Sequence, residues 1–269
     1  MSSEPILARA ALHMWEEPII SGTQGSGTVF FSGCSLGCVF CQNREISDGS
    51  VGKALTDLRI ADVMLELEAQ GAHNINFVTP THFAPTVVDT VALARERGMS
   101  LPIVYNTASY DSVECIRMLA DTVDIYLADY KYHLPRTAGK LARAEDYPAL
   151  SRAAIAEMVR QKPTPVIEDG IMREGVIVRI LLLPGHVAEA KLATKYIYDT
   201  YGDSVYISLM SQYTPMPNMT APLDRRVTAA EYAELVDYAA EKGITHAFVQ
   251  EGTAASESFI PPFDLTGIQ

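Results

Sequence analysis

Seven short runs rich in Val, Ile, Phe and Tyr recur along the chain, at residues 28–32, 74–79, 101–106, 123–129, 176–183, 204–210 and 245–250. Runs of this length and composition read as β-strands. Helical patterns lie between them. Residues 57–70 place Ile60, Val63, Met64 and Leu67 on one stripe at i, i+3, i+4 and i+7. Residues 229–242 repeat the spacing with Tyr232, Leu235, Val236 and Ala239, opening at a capping box, Thr228-Ala-Ala-Glu231, and closing at Gly243. Such alternation predicts parallel βαβ units, and near-continuous apolar strands such as Ile180-Leu-Leu-Leu183 predict a sheet covered on both faces. About six or seven units fall short of the eight of a closed barrel. Residues 132–175 interrupt the rhythm with a polar connection, a helical stretch near 148–162 and an Asp169-Gly170 turn. They read as a small insertion within a single domain spanning 1–269, with an N-terminal extension over 1–27.

Three cysteines, Cys34, Cys38 and Cys41, lie within eight residues on the loop that leaves the first run, Thr28-Val-Phe-Phe-Ser-Gly33. Thiolates at C-x3-C-x2-C spacing can hold three irons of a 4Fe-4S cube and leave the fourth iron open for a ligand. Other uses of a cysteine group fit less well. Structural zinc usually takes four N or S ligands in two knuckles, and no second C-x2-C or H-x3-H lies downstream. A ferredoxin-type electron carrier would show a fourth cysteine and a shorter chain than 269 residues. Disulfides are disfavoured because the chain does not open on a signal-peptide pattern. The remaining cysteine, Cys115, falls in a helical pattern with Val113 and Ile116 inward and reads as a small buried side chain.

The stretch Gly25-Ser-Gly-Thr-Val-Phe-Phe-Ser-Gly-Cys-Ser-Leu-Gly-Cys-Val-Phe-Cys-Gln-Asn43 resembles the cluster loop of radical S-adenosylmethionine (SAM) enzymes. Within that superfamily the chain is similar to pyruvate formate-lyase activating enzyme-like proteins. The matching segments are His13-Met-Trp-Glu-Glu-Pro18, Asn76-Phe-Val-Thr-Pro-Thr-His82, Tyr105-Asn-Thr107, Asp124-Ile-Tyr-Leu-Ala-Asp-Tyr-Lys131 and Arg179-Ile-Leu-Leu-Leu-Pro-Gly185. The resemblance implies an α/β fold, a partial (β/α) barrel of about six parallel strands, open on one side. It also implies a 4Fe-4S cluster on Cys34, Cys38 and Cys41, with SAM chelating the open iron. Reductive cleavage of SAM would then give a 5′-deoxyadenosyl radical that abstracts a hydrogen atom from substrate.

In barrels of this kind, active sites form at the C-terminal strand ends. Polar residues gather there in this chain: Thr79-Pro80-Thr81-His82, Asn106-Thr107, Asp129 and Lys131, Pro184-Gly-His186 and Ser211-Gln-Tyr213. Residue by residue, the resemblance implies cofactor contacts from Phe40 to the adenine and from Asp129 and Lys131 to the ribose and carboxylate of SAM. Asn106 and Thr107 match an Asp-Thr pair of the family. Thr79, Pro80, Thr81 and His82 stand where activating enzymes carry Gly-Gly-Glu-Pro, so backbone carbonyls would have to replace the carboxylate that meets the SAM amino group. Arg179, on an apolar strand, needs a partner: either a SAM or substrate carboxylate or an internal acid.

The 33 Asp and Glu against 21 Lys and Arg give a formal charge of −12, which disfavours nucleic acid and anionic membranes as partners. No apolar run nears the roughly 20 residues of a membrane span, so a soluble, cytoplasmic protein is expected. Its expected partners are SAM and an electron donor such as flavodoxin or ferredoxin. Two substrate classes stay open, the backbone glycine of a glycyl-radical enzyme and another peptide or small metabolite. A non-enzymatic iron–sulfur electron carrier is the alternative of another class. No catalytic residue beyond the cofactor contacts is assigned.

Overall fold

The apolar runs pair into one sheet. The computed structural model describes residues 4–250 and 261–269. Its elements are β1 (Ile6–His13), α1 (Pro18–Ser21), β2 (Ser26–Phe31), α2 (Arg44–Ser47), β3 (Lys53–Ala54), α3 (Asp57–Ala69), β4 (Ile75–Val78), α4 (Ala84–Glu96), β5 (Ile103–Thr107) and α5 (Val113–Met118). There follow β6 (Ile125–Asp129), α6 (Pro135–Ala142), α7 (Tyr147–Gln161), β7 (Val166–Glu168), β8 (Ile171–Leu181), α8 (Val187–Tyr201), β9 (Tyr206–Met210), α9 (Ala229–Glu241) and β10 (Ala247–Val249). Strands β2, β4, β5, β6, β8, β9 and β10 run parallel, each bonded to the next. The path starts at β10 and ends at β1 and β3, which pair antiparallel at the β2 edge. This α/β architecture is a partial barrel left open between its two edges.

Strand β1 lies inside the segment expected to be an extension. Its sequence, Ile6-Leu-Ala-Arg-Ala-Ala-Leu-His13, is rich in alanine, which is depleted in strands. Pairing with β2 and burial of Leu7, Ala8 and Ala10 override that weak propensity. Residues 132–175 supply the crossover between β6 and β8, built from α6, α7 and the β7–β8 hairpin. The hairpin turns at Asp169 and Gly170, both left-handed at φ 52° and 79°, the backbone that two-residue hairpin loops need.

The period of two along each strand sorts its side chains between two environments. Val29, Phe31, Phe77, Tyr105, Tyr126, Val176, Val178 and Ile180 join the helices in the main core. The intervening Val104, Ile125, Leu127 and Ile177 pack with Ile20 of α1 in a smaller inner cluster. Alternating with these inner apolar residues are polar ones, Asn76, Asn106, Asp129, Arg179 and Ser208, each from a different strand. An apolar strand that carries one such residue therefore turns it into the lumen.

Helix signals hold to within a residue. In α3 the Thr56 side chain accepts from the Arg59 N–H, and Ile60, Val63, Met64 and Leu67 are buried. In α9 the expected capping box forms, with Thr228 and Glu231 each accepting from the other's backbone N–H. Cys115 lies in α5, partly buried against the main core. No helix among the described residues is long and apolar enough to cross a membrane. Replacing an N-cap threonine by alanine costs about 1 kcal/mol. Thr228→Ala should therefore lower the melting temperature by about 2–4 °C in a chain of this size, as read by circular dichroism.

Candidate active site

A cavity of about 840 Å³ runs from the cysteine loop into the barrel lumen. The loop is shaped at Gly33, where the chain leaves β2 at φ 98°. This φ favours glycine, and a Cβ there would also stand 2.8 Å from the tip of the His82 ring, which would have to shift. Beyond it the loop is pinned from both sides. The Gly33 N–H donates to the Ile46 carbonyl at 2.6 Å and the Val39 N–H to the Leu141 carbonyl at 2.9 Å. Leu36 and Phe40 of the loop pack with Ala138, Leu141 and Ala142 of α6 and with Tyr132, Tyr147 and Tyr213. The crossover after β6 thus roofs the cysteine loop.

Cys34, Cys38 and Cys41 are free thiols, and all three line the cavity. The Leu36 N–H donates to Cys34 Sγ at 3.4 Å, and the Tyr132 hydroxyl to Cys38 Sγ at 3.2 Å. Burial pushes the Cys34 thiol up to about 11 and raises that of Cys38, with Lys131 opposing both shifts. Binding iron would displace these protons. No group of three or more His, Cys, Asp or Glu among the described residues converges to hold a single metal ion. A cube makes a different demand, because each thiolate takes its own iron and the sulfurs need not meet at a point. Three thiols on one cavity wall, with N–H and O–H donors aimed at two of the sulfurs, fit such a cluster.

Below the loop, charged groups form a connected layer. Arg179 on β8 donates through Nε to Asp129 Oδ1 at 2.6 Å, through Nη2 to Asn106 Oδ1 at 2.6 Å, and through Nη1 to Glu16 Oε2 at 3.1 Å. Lys131 Nζ donates to the other oxygen of Asp129 at 2.6 Å. Glu16 Oε1 accepts from Asn76 at 3.0 Å and Asn106 at 3.2 Å. Burial acts to raise the Asp129 carboxyl, yet Arg179 and Lys131 together outweigh it and hold Asp129 below the usual range. Burial lowers the basicity of Arg179, but its carboxylate neighbours, Asp129 foremost, more than restore it. Arg179 thus meets acids of its own chain.

The expected contact residues separate into two groups. Phe40, Thr79, Asn106, Thr107, Asp129, Lys131 and Arg179 line the cavity, and Phe40 lies edge-on to Tyr132 and Tyr213 at 6.4 and 5.8 Å between ring centres. Pro80, Thr81 and His82 do not line it. Strand β4 ends at Val78, and Thr79 takes a left-handed φ of 57°, which throws the chain into a 3-10 turn over Thr81–Phe83. Thr81 then faces Thr107 at 3.4 Å, and His82 Nε2 meets the Ser32 carbonyl at 3.1 Å. Even Thr107 spends its hydroxyl on Asp111, at 2.6 Å.

Sequence reasoning missed Glu16, Glu17, Asn76 and Ser208 as cavity or lumen residues. The signals were a single polar residue within Ile75-Asn76-Phe77-Val78 and within Ile207-Ser208-Leu209, and paired acids before Pro18. Removing the cation of a buried ion network strands its acids at a cost of about 3–5 kcal/mol. Arg179→Met should show a loss of that order in denaturant unfolding, and Arg179→Lys a smaller one.

The family model of the Radical SAM superfamily matches residues 28–162, about half of the chain. An uncharacterized protein of Methanocaldococcus jannaschii is 27% identical over 241 residues, which cover 85% of this chain and 65% of that protein. The fold is similar to that of the FeFe-hydrogenase maturase HydG from Carboxydothermus hydrogenoformans, with a TM-score of 0.58 at 12% identity over 87% of this chain and 55% of that one. It is similar to Streptococcus suis SuiB bound to S-adenosylmethionine, with a TM-score of 0.55 at 9% identity over 84% and 50% of the two chains. It is also similar to anSMEcpe with bound AdoMet, with a TM-score of 0.55 at 12% identity over 79% and 56%. The chain thus spans about half the length of these solved proteins and less than two thirds of the archaeal relative. It belongs to the Radical SAM superfamily, and that membership implies a 4Fe-4S cluster and SAM as its cofactors.

Proposed function

We propose that the chain holds one 4Fe-4S cluster through Cys34, Cys38 and Cys41 and uses SAM to take a hydrogen atom from a substrate seated in the barrel lumen. The observation that carries this reading is one cavity of about 840 Å³ shared by three free thiols, a buried phenylalanine and a layer of paired charges. A cluster held by Cys34, Cys38 and Cys41 would supply the electron for reductive cleavage of the SAM sulfonium.

The protein's part is orientation and exclusion of competing reactants. Lys131, held by Asp129, presents an ammonium to the carboxylate of SAM as a point charge. Phe40 offers its ring to the adenine from a pocket walled by Tyr132 and Tyr213. Arg179 has its guanidinium committed to Asp129, Asn106 and Glu16, so it acts by fixing those groups. Thr79 is the one residue of its segment that lines the cavity. The electron comes from a donor of the flavodoxin or ferredoxin kind.

For the substrate, a lumen of about 840 Å³ that SAM must share favours a small molecule or a single peptide side chain. The glycyl-radical activase role rests on the sequence resemblance alone. It would require the Thr79–His82 segment to do the work of Gly-Gly-Glu-Pro while Pro80, Thr81 and His82 stand off the cavity. Anaerobic reconstitution with reductant, SAM and deuterated candidate substrates separates the two, through label in 5′-deoxyadenosine or a glycyl signal on a partner protein.

Cys34→Ala, Cys38→Ala and Cys41→Ala should each abolish the cluster absorbance and SAM cleavage, whereas Cys115→Ala should retain both. Loss of the cluster in Cys115→Ala would overturn the ligand assignment. Base–aromatic stacking contributes about 1–3 kcal/mol, so Phe40→Ala should weaken SAM binding by about tenfold with the cluster intact, as read by equilibrium dialysis.

A further inference from the structure

Among the described residues, the lumen carries one more carboxyl group than its cations match. Asp129 bonds both Lys131 and Arg179, and Glu16 bonds Arg179. Glu17 lines the same cavity with no ion-pair partner among the described residues. It is 7% exposed, its carboxyl has Ser208 as a hydrogen-bond neighbour, and its Oε2 is buried without a hydrogen-bond partner among the described residues. Burial pushes this carboxyl up, with Arg179 only partly opposing. A buried polar atom left unsatisfied costs folding free energy, and where a native structure tolerates one it calls for a reason.

Placement supplies the reason. β1 runs antiparallel to β2 with His13 opposite Ser26, so the chain after β1 arrives at the N-terminal end of the parallel strands. There α1 seals the barrel floor: Ile20 enters the inner apolar cluster, and its carbonyl accepts from Asn74 at 2.8 Å. Glu17 therefore rises from the floor beside Ser208, midway along β9, while the thiols hang from the opposite, C-terminal end of β2. Phe30, Leu181, Met210, Trp15 and Phe248 give the same cavity apolar walls. An acid with no ion-pair partner among the described residues, at the base of a cavity with apolar walls, suits a ligand that pairs a cation with a hydrocarbon stem.

We propose that Glu17 anchors a cationic nitrogen of the substrate, an ammonium or guanidinium on an apolar stem, and so sets the height of the reacting carbon beneath the cluster. This rests on the reading of the cavity as a radical SAM active site. SAM carries an ammonium of its own, so the two possible sources of the cation must be told apart.

The probes are Nα-acetyl-lysine methylamide and its uncharged isostere Nα-acetyl-norleucine methylamide. They are titrated by ligand-detected NMR into the cluster-reconstituted, unreduced protein, with and without saturating SAM. The expected result is at least a tenfold preference for the lysine probe that survives SAM and disappears in Glu17→Gln. The melting temperature of Glu17→Gln should be unchanged or raised, because the variant removes an unpaired buried acid. Equal binding of both probes to the wild type, or a preference retained in Glu17→Gln, would overturn the anchor. So would displacement of the lysine probe by SAM, which would hand Glu17 to the cofactor's ammonium, or a melting temperature several degrees lower in Glu17→Gln, which would make the acid structural. Cluster absorbance, and SAM cleavage once the same preparation is reduced, distinguish failure of the superfamily chemistry from failure of the anchor.

Discussion

The guanidinium of Arg179 enters the lumen on an apolar strand, and the charged interior of the barrel is arranged around it. A buried cation is tolerable only if acids and carbonyl oxygens satisfy it. Asp129 comes from the end of β6, Asn106 from β5 and Glu16 from the segment after β1, so one side chain ties three distant stretches to one point. Asp129 in turn fixes Lys131. The orientation of the groups facing the cavity therefore depends on a network whose members are each other's main partners.

Around that network the sheet divides its labour by the period of two. Outward side chains meet the helices in the main core, and inward ones either fill the floor with Val104, Ile125, Leu127 and Ile177 or carry the polar layer. A continuous apolar strand is thus compatible with a charged active site, because one polar residue per strand at an inward position suffices. The cysteine loop is held by contacts independent of that layer, through Gly33, Val39 and the apolar face of α6. Supporting the loop from the crossover helix leaves the three sulfurs facing the cavity.

Strand positions, helix stripes and the capping box at Thr228 and Glu231 were legible because they follow from local periodicity and from hydrogen bonding between residues three or four apart. Strand β1 was not, since alanine-rich sequence carries no strand signal and the pairing with β2 decides. Among the cavity-lining residues, those at or just past a strand end, such as Asn106, Asp129 and Lys131, were legible as a group. Pro80, Thr81 and His82 share the strand-end address but miss the cavity, because a single left-handed residue, Thr79, redirects the chain. Backbone handedness at one non-glycine position leaves no mark in the residue pattern.

The sequence alone determined the alternating strand and helix order, the three-thiol loop and the superfamily likeness, all of which reside in short-range pattern and spacing. Tertiary structure alone decided that Arg179 spends its charge on Asp129, Asn106 and Glu16, and that Glu17 lies buried in the same lumen with an unpartnered oxygen. The physical reason is separation along the chain: Glu16 and Arg179 are 163 residues apart. Only closing the sheet puts them within hydrogen-bonding distance, where desolvation makes each choice of partner matter.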